Sequence, residues 1–436
     1  MKVAVAGTGY VGLVTGVCLA ENGHDVTCVD VDENKIKMMQ EGKSPIYEPG
    51  LQELMTKNIG RLTFTTDHAK AYRDAEIIFI GVGTPEKKDG SANLSYVFAA
   101  AEEIAQNAEK ECVVVIKSTV PIGTNDRVEN AINEKSAGRV KIHVASNPEF
   151  LSQGTAVRDT LHASRIVIGV EDDFSREKLL SLYKGLDAPV VVTNRRSAEM
   201  IKYASNDFLA LKISYINEIA NLCEAIGADI KDVAKGMSYD ARIGDKFLNA
   251  GIGYGGSCFP KDTKALSWLA TFNDHEIKTV KAAIEVNENQ KLLPVKKAAR
   301  YFNDMRGITA AVLGLTFKPG TDDLREAPSL VTVPILIDDG VKIRAWDPVG
   351  VSNFRKQVPE GVEYFDTVEE TLKGADVCFI FTEWPEVLNL DPSLFVSLMK
   401  NPVVIDGRNC FDAEKIASVK GMVYDSIGRA VIDTRS

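Results

Sequence analysis

The stretch that decides the fold of this chain is Val3-Ala4-Val5-Ala6-Gly7-Thr8-Gly9-Tyr10-Val11-Gly12. Its first four residues are apolar and predict a buried strand, and the helical pattern that follows stops at Gly23. Glycines at this spacing permit a tight turn, through which the backbone can approach a pyrophosphate bound at the helix N-terminus. A glycine triplet alone is weak evidence, but between a strand and a helix it predicts a dinucleotide-binding domain.

The next predicted strand ends on Asp30, roughly twenty residues after the glycine turn. A carboxylate at this place accepts hydrogen bonds from the ribose hydroxyls and repels a 2′-phosphate, and no arginine follows it in Val31-Asp32-Glu33. The sequence therefore predicts NAD rather than NADP as the cofactor. Lys35 is a candidate for a contact with the adenosine, although a solvated surface lysine is the equal alternative.

Two later apolar strands each end in a polar turn, which is Gly81-Val82-Gly83-Thr84-Pro85 in one case and Lys117-Ser118-Thr119-Val120-Pro121 in the other. In a doubly wound sheet, ligands bind where the strands end, so both turns are expected to face the cofactor. Another predicted strand leads into Glu149, which we interpret as pointing into the same cleft. The alternative for Glu149 is a surface carboxylate in a loop.

Length, charge and cysteine usage bound the class of protein. The chain has 436 residues, too many for one hydrophobic core, and its formal net charge of -10 argues against nucleic acid or an anionic membrane as a partner. It shows no signal peptide and no apolar run of membrane-spanning length. Its seven cysteines lack paired spacing, and no Cys-x-x-Cys or His-x-x-x-His occurs. We therefore expect a cytoplasmic enzyme with reduced cysteines and without a structural metal.

A long helix is predicted from about Ser197 to Ile226, because apolar residues recur there at three- and four-residue spacing. A helix of this length usually spans domains or forms a dimer interface. Lys202 and Asn206 lie four residues apart on a face beside the apolar stripe, so both can reach one ligand. The alternative is a pair of solvent-exposed polar residues.

The helical sequence that follows is interrupted by Gly255-Gly256-Ser257-Cys258-Phe259-Pro260-Lys261-Asp262. The glycines let the backbone approach a ligand closely, and a nearby cation favours the thiolate, which is the nucleophilic form of cysteine. A small buried cysteine beside a Gly-Pro turn is the alternative. Because a cation, an acid and flexible backbone cluster around one sulfur, we interpret Cys258 as a nucleophile.

The chain beyond residue 307 repeats the strand pattern of the first third, but Gly314 stands there without the glycine triplet. This part is expected to form a Rossmann-like domain that does not bind a dinucleotide. Lys318, Arg325 and Arg408 fall at predicted strand ends or in the following turns, where together they suggest an anionic ligand such as a phosphate. Singly, each is more often a surface charge.

The predicted fold class is therefore α/β. Two Rossmann-like doubly wound domains, expected at residues 1–196 and 304–436, are joined by the long helix and a central helical domain at 197–303.

Taken together, these motifs resemble the UDP-glucose 6-dehydrogenase family, within the wider group of nucleotide-sugar dehydrogenases. The resemblance covers essentially the whole chain. It is carried by Gly7–Gly12, Ser118–Pro121, Asn147–Leu151, Lys202 with Asn206, Gly255–Asp262 and Phe317–Lys318. It implies the four-electron oxidation of UDP-glucose at C6 to UDP-glucuronate by NAD. It is less specific for the sugar, because GDP-mannose dehydrogenases share most of these motifs.

The resemblance also implies catalytic roles. Cys258 would carry the intermediate as a thiohemiacetal and then as a thioester, and Lys202 would stabilise the oxyanion. Asp262 and Thr119 would position a water and help to move protons, and Glu149 would serve in the acid-base steps of hydrolysis.

Asn206 would hydrogen-bond the reacting oxygen. The implied substrate contacts are Glu149, Phe150, Leu151, Ser152, Gln153, Lys202, Asn206, Arg242, Phe247, Leu248, Asn249, Ala250, Gly251, Gly255, Phe317, Lys318 and Arg408. The implied cofactor contacts are Gly7, Thr8, Gly9, Tyr10, Val11, Gly12, Asp30, Lys35, Gly83, Thr84, Pro85, Ser118, Thr119, Gln153, Lys261 and Arg325.

Arg242 bears on the oligomeric state, and Gln153 bears on the acid-base chemistry. Arg242 matches the family arginine that reaches the neighbouring subunit's substrate, and the long helix fits a subunit interface, so a homodimer is implied. Gln153 stands where the family often carries a second glutamate, and an amide cannot act as a base. Any role of that second carboxylate is therefore not carried over.

Three alternative functions compete with this interpretation. A two-electron β-hydroxyacid dehydrogenase shares the first domain, the long helix and a lysine, but it has no use for a thiolate or a second Rossmann-like domain. A non-catalytic NAD-binding redox sensor, with Cys258 as the reporter, leaves Lys202, Asp262 and Glu149 unexplained. Within the family, GDP-mannose is the alternative substrate.

Overall fold

A computed structural model describes residues 1–435 of the chain. The chain divides into two compact units, Met1–Ser205 and Asn206–Ser436. The three-domain division at 196 and 303 stays a prediction. The two units divide between residues 205 and 206, which lie within the long helix.

The first unit is built on an eight-stranded sheet of order β3-β2-β1-β4-β5-β6-β7-β8. Its strands are β1 Lys2–Ala6, β2 Asp25–Val29, β3 Leu62–Thr65, β4 Ile77–Ile80, β5 Cys112–Ile116, β6 Ile142–Ser146, β7 Ile166–Gly169 and β8 Val190–Thr193. Neighbouring strands run parallel except β6 and β7. The strand order reverses beside β1, which places a crevice at the carboxyl ends of β1 and β4.

Helices cover both faces of this sheet. They are α1 Tyr10–Glu21, α2 Glu33–Gln40, α3 Leu51–Lys57, α4 His68–Tyr72, α5 Ser95–Asn107, α6 Thr124–Ser136, α7 Ala156–Leu161 and α8 Asp173–Leu182, with a single 3-10 turn at Ile59–Arg61. Val3 and Val5 pack into the core on one face, whereas Ala4 and Ala6 pack into the core on the other. This is why β1 is a continuous apolar run rather than an alternating one.

The predicted long helix is present as α9, Arg195–Ile226, and its 32 residues run from the first unit into the second. Apolar residues at three- and four-residue spacing gave the signal, and the helix begins two residues earlier than the sequence indicated.

The second unit repeats the topology of the first with a seven-stranded sheet of order β11-β10-β9-β12-β13-β14-β15. Its strands are β9 Thr309–Leu313, β10 Lys342–Trp346, β11 Val362–Tyr364, β12 Val377–Ile380, β13 Val403–Asp406, β14 Val423–Ser426 and β15 Ile432–Asp433. All pairs are parallel except β14 with β15. The internal repeat predicted from the sequence, and with it the α/β fold class, is confirmed.

The helices of the second unit fall into two groups. Those before the sheet are α10 Ile230–Ser238, α11 Phe259–Phe272, α12 Lys278–Lys291 and α13 Leu293–Ala298. Those within the repeat are α14 Pro328–Asp338, α15 Val351–Gln357, α16 Val368–Leu372, α17 Pro385–Leu388, α18 Ser393–Leu398 and α19 Ala413–Ala417.

Candidate active site

The glycine turn between β1 and α1 has the geometry that a dinucleotide needs. Gly7 has a φ of +91°, and a Cβ on Gly12 would lie 2.0 Å from the carbonyl oxygen of Gly7. A Cβ on Gly9, by contrast, would meet no atom of the described residues within 4 Å. Gly7 and Gly12 are therefore required by the fold, while Gly9 leaves the space above the helix N-terminus open for a pyrophosphate.

Asp30 stands at the end of β2 and is tied to this turn. Its carboxylate accepts hydrogen bonds from the Thr8 amide at 2.7 Å, the Thr8 hydroxyl at 2.6 Å and the Asp32 amide at 3.0 Å. Burial raises the pKa of Asp30, but the bonds from Thr8 and Asp32 and the charge of Lys35 outweigh burial, so the pKa lies below its usual value. An ionised acceptor beside the glycine turn fits the ribose of NAD.

The two polar turns predicted to face one ligand are joined to each other. The Thr84 hydroxyl donates to the carbonyl of Thr119 at 2.9 Å, and the Ser118 hydroxyl donates to the carbonyl of Val82 at 2.6 Å. Gly83 and Pro85 flank Thr84 in the same turn. The carboxyl ends of β4 and β5 therefore form one continuous polar edge.

The loop after β6 reaches the glycine turn between β1 and α1. The hydroxyl of Tyr10, at the start of α1, accepts a hydrogen bond from the amide of Gly154 at 3.1 Å. The neighbouring Gln153 keeps its side-chain oxygen buried, with no hydrogen-bond partner among residues 1–435. Gln153 thus offers an acceptor at this edge but no titratable group.

Glu149 is buried rather than exposed. Its carboxylate lies 2.9 Å from the Nζ of Lys202, and the two side chains are 5% and 3% exposed. The second carboxylate oxygen accepts a hydrogen bond from the amide of Leu151 at 2.8 Å. Lys202 also lies 5.5 Å from the centre of the Phe150 ring. A desolvated ion pair of this kind holds both side chains in fixed positions.

Lys117 is the first residue of the second polar turn that the sequence predicts to face the cofactor, and it belongs to the same cluster. Its Nζ donates to the side-chain oxygen of Asn147 at 2.9 Å. Burial lowers the pKa of Lys117 to about 8, the charge of Lys202 acts in the same direction, and Glu149 opposes them. The sequence analysis gave Lys117 no role of its own, although this lysine directly follows a buried strand and directly precedes Ser118.

In the second unit, Cys258 is the residue immediately before α11, and Pro260 lies in the first turn of that helix. The side chain is partly exposed, and the hydroxyl of Ser257 lies 3.7 Å from its sulfur. The positive end of a helix dipole favours an anion at this place and therefore a thiolate. Burial lowers the pKa of Arg325, but the hydrogen bond and charge of Asp323 and the nearby sulfur of Cys258 outweigh burial, so the pKa lies above its usual value.

The paired glycines before Cys258 are needed for packing. A Cβ on Gly255 would lie 2.5 Å from the carbonyl oxygen of Glu326, and one on Gly256 would lie 2.8 Å from the ring of Phe317. The amide of Gly256 donates to the carbonyl of Arg325 at 2.7 Å. The segment 317–326 therefore lies directly on the cysteine loop and holds it in place.

Asp262, one turn into α11, is the centre of a buried polar cluster. Its two oxygens accept hydrogen bonds from the side-chain amide of Asn206 at 2.7 Å and from the Nζ of Lys261 at 2.6 Å. The residue is 1% exposed. The structure thus brings together three of the predicted residues. Lys261, expected at the cofactor, is paired with Asp262 here.

The three basic residues that were predicted to bind a phosphate make different contacts. Arg408 donates to the carbonyls of Phe381 at 2.8 Å and Gly253 at 3.2 Å. Lys318 lies 5.5 Å from the centre of the Phe317 ring, and Arg325 forms a 2.7 Å ion pair with Asp323. Arg408 is therefore anchored by backbone at the ends of β12 and β13, where the sequence placed it.

The remaining predicted substrate contacts lie in the loop before α11. Leu248 and Ala250 are buried, whereas Asn249 is exposed, and the amide of Gly251 donates to Asn217 at 2.8 Å. Phe247 has a φ of +63°, in the left-handed region that few non-glycine residues adopt. Arg242 has an 89% exposed side chain that pairs only with the nearby Asp240 among the described residues.

The described part of the chain shows neither a metal site nor a membrane-spanning helix. No group of His, Cys, Asp and Glu side chains in it is arranged to hold a metal ion. None of its helices combines the length and apolar composition that crossing a membrane requires.

Comparison with known proteins gives a consistent picture. Three models of the UDP-glucose/GDP-mannose dehydrogenase family match the chain: the NAD binding domain at residues 1–187, the central domain at 196–289 and the UDP binding domain at 311–413. The chain is 51% identical to UDP-glucose 6-dehydrogenase YwqF of Bacillus subtilis over 434 residues, which cover 99% of this chain and 98% of that protein. It is 48% identical to UDP-glucose 6-dehydrogenase of Rhizobium meliloti over 98% of this chain and all of that protein. A UDP-glucose dehydrogenase from Pyrobaculum islandicum superposes with a TM-score of 0.92 at 38% identity, covering 98% of both chains.

Proposed function

The chain belongs to the UDP-glucose/GDP-mannose dehydrogenase family, and from this premise we propose that it oxidises UDP-glucose to UDP-glucuronate, with NAD as the cofactor. One observation carries the chemistry: a partly exposed cysteine at the start of α11, in a loop whose glycines cannot accept a side chain. A simple two-electron dehydrogenase has no step that needs such a thiol.

The reaction removes four electrons from a primary alcohol. NAD, when bound, accepts a hydride in each of the two oxidation steps. The thiolate of Cys258 would add to the aldehyde formed in the first step, and the aldehyde oxygen would take up a proton to give a thiohemiacetal. Loss of a hydride from its carbon and of that proton from its hydroxyl group would then give a thioester. Water then attacks the thioester carbonyl and displaces the thiolate, which leaves the carboxylate. Each hydride step also releases one proton from a hydroxyl group.

The proposed roles of the surrounding residues follow from their contacts. Lys202 is a desolvated cation and would stabilise the oxyanions of addition and hydrolysis, while Glu149, its partner at 2.9 Å, would act in the acid-base steps. Asp262 and Asn206 are joined at 2.7 Å, which supports the proposal that they orient the reacting oxygen and move its proton. Thr119 would position the attacking water from the polar edge of the first sheet.

We assign the nucleotide part of the substrate to the second unit. The turn after β9 lacks the glycine triplet, because Leu315 and Thr316 occupy it and donate their amides to Asp347 at 2.7 and 3.1 Å. Lys318 and Arg408 supply positive charge at the same strand ends, which suits a diphosphate. Phe247 and the loop up to Gly251, with Phe317, would contact the uridine and the sugar.

A panel of nucleotide sugars tests the proposed function. UDP-glucose should yield two NADH for each sugar consumed, without release of free aldehyde. Faster turnover of GDP-mannose would establish the alternative substrate within the family. A single NADH for each sugar would point to two-electron chemistry, and no turnover of any nucleotide sugar would favour the redox sensor.

Cofactor preference provides a prediction for Asp30. The kcat/KM for NAD⁺ should exceed that for NADP⁺ by about a hundredfold, because a 2′-phosphate would meet a carboxylate that Thr8 keeps ionised. Asp30→Ala should reduce this preference to about tenfold or less. Glu33→Gln removes an exposed charge nearby and should leave the preference as it is. Equal kcat/KM values for the two cofactors in the wild-type enzyme would contradict the assignment.

We also propose a homodimer formed through α9. Phe208, Tyr215, Leu222 and Ile226 are each at least half exposed and recur along the helix at intervals that keep them near one face. Sedimentation velocity should therefore show a dimer, which Leu222→Lys should shift towards monomer. Phe272→Lys, at an exposed apolar residue of α11, should have no such effect. A monomeric wild-type chain would refute this proposal.

The cytoplasm stays our prediction for the compartment. It is supported by seven cysteines that form no disulfide in the part of the chain that the structure describes.

A further inference from the structure

Asp207 is a buried carboxyl group that the proposed mechanism does not use. It follows Asn206 in α9, within the second unit, and it is 4% exposed. Neither oxygen of its side chain has a hydrogen-bond partner among residues 1–435. An ionised carboxylate in such a place is strongly unfavourable, because nothing replaces the water that it has lost.

The groups that act on Asp207 belong to the cluster around Asp262. From α11 these are the negative charge of Asp262 and the positive charge of Lys261, and from the loop before α11 it is the hydroxyl of Tyr254. Burial and then Asp262 raise the pKa of Asp207 to about 8, and Lys261 opposes them. Burial also raises the pKa of Tyr254, to about 12, so this hydroxyl stays neutral.

The two carboxyl groups are not equivalent. Asp262 uses both oxygens as acceptors, one from Asn206 and one from Lys261, and both donors favour its ionised form. Asp207 has neither donor. When two acids share a desolvated cluster, they hold one negative charge in common more readily than two. The unequal set of donors therefore favours the proton on Asp207, whose oxygens have no partner among the described residues.

We propose that Asp207 is a positioning residue for the reaction, which holds a proton so that Asp262 remains the ionised member of the pair and keeps Asn206 and Lys261 in place. The proposal rests on the proposed function, in which Asp262 receives the proton released from a reacting hydroxyl group. With Asp207 neutral, the pair carries one negative charge and becomes neutral when Asp262 takes up that proton. Ionisation of Asp207 would add a second negative charge that competes for Lys261 and for the amide of Asn206.

Asp207→Asn tests this directly, because an amide of the same shape mimics the neutral acid. Asp232→Asn removes one exposed carboxylate from α10 and serves as the control. Infrared spectroscopy of the wild-type enzyme at pH 7 should show a protonated carboxyl group, and that band should be missing in Asp207→Asn and retained in Asp232→Asn. The alkaline limb of the kcat/KM profile should move upward by about one pH unit or more in Asp207→Asn only.

Thermal unfolding supplies a measurement that needs no activity. Asp207 is ionised in the unfolded chain above about pH 4 but stays protonated in the folded chain up to about pH 8. Asp207 therefore does not reduce the free energy of unfolding below about pH 4, where it is protonated in both states. As the pH rises from about 4 to about 8, it lowers the free energy of unfolding progressively. The Tm of Asp207→Asn should therefore rise relative to the wild-type Tm across this range and level off above it.

Three outcomes would overturn the proposal: a wild-type spectrum without the protonated carboxyl band, superimposable pH profiles of wild type and Asp207→Asn, or an Asp207→Asn chain that does not fold. Failure of the wild-type enzyme to oxidise UDP-glucose would instead refute the proposed function, and the infrared and unfolding results would still decide the state of Asp207.

Discussion

Cys258→Ala is expected to lower the turnover of UDP-glucose by about a thousandfold or more, and the product ratio of two NADH for each sugar should be lost. Without the sulfur, the aldehyde has no covalent partner and the second oxidation lacks its thiohemiacetal. Residual NADH should come from the first hydride transfer alone, because Lys202 and Asp262 are still present. Stopped-flow absorbance and the count of NADH for each sugar measure both effects.

Cys258→Ser separates covalent chemistry from packing. A hydroxyl fits the same space but ionises far less readily than a thiol, so turnover should collapse and any adduct should persist. Mass spectrometry after acid quenching should detect covalently bound sugar on the wild-type or the Cys258→Ser enzyme. It should detect none on Cys258→Ala or on enzyme without substrate.

Cys410→Ala is the matched control. Cys258 and Cys410 are the two cysteines of the described chain that are not fully buried. Partial burial raises the pKa of the Cys410 thiol, and the negative charge of Asp406 raises it further. It should therefore be unreactive, and its replacement should leave turnover near that of the wild type. A Cys258→Ala enzyme that still gives two NADH for each sugar at a near-normal rate would show that the central assignment is wrong.

Local pattern explains why so much of the fold could be predicted. Val3–Ala6 is a continuous apolar run followed by glycines, and the spacing of apolar residues in α9 repeats with the period of a helix. Both signals depend on residues close together in sequence. The internal repeat was legible for the same reason, since each strand of the second sheet carries its own apolar run.

Burial of polar side chains could not be predicted in the same way. Lys117 and Asp207 look like ordinary charged residues in the sequence, and only tertiary packing half-buries the first and buries the second. Likewise, the sequence placed Lys261 beside a carboxylate but could not show that it pairs with Asp262. Motif matching found residues that a family shares, whereas the state of each side chain depends on neighbours far away in the chain.

Gly12→Ala should have the other large effect, and it acts on the fold before it acts on the cofactor. The new methyl group would lie 2.0 Å from the carbonyl oxygen of Gly7 and 3.4 Å from that of Gly81. Both are backbone atoms, so no side chain can move aside, and α1 must shift away from β1. We expect a loss of about 3 kcal/mol or more in the free energy of unfolding and no measurable binding of NAD.

Gly9→Ala is the comparison that distinguishes the two roles of the turn. Its Cβ meets no atom of the described chain within 4 Å, and a φ of -69° is ordinary for alanine, so the Tm should stay close to that of the wild type. The methyl group would nevertheless occupy the space through which a pyrophosphate approaches the backbone, which should raise the Kd for NAD by about tenfold or more. Calorimetric unfolding and NAD titration of both variants measure the two effects separately. If Gly12→Ala were as stable as Gly9→Ala, the close contact between α1 and the glycine turn would not be a requirement of this fold.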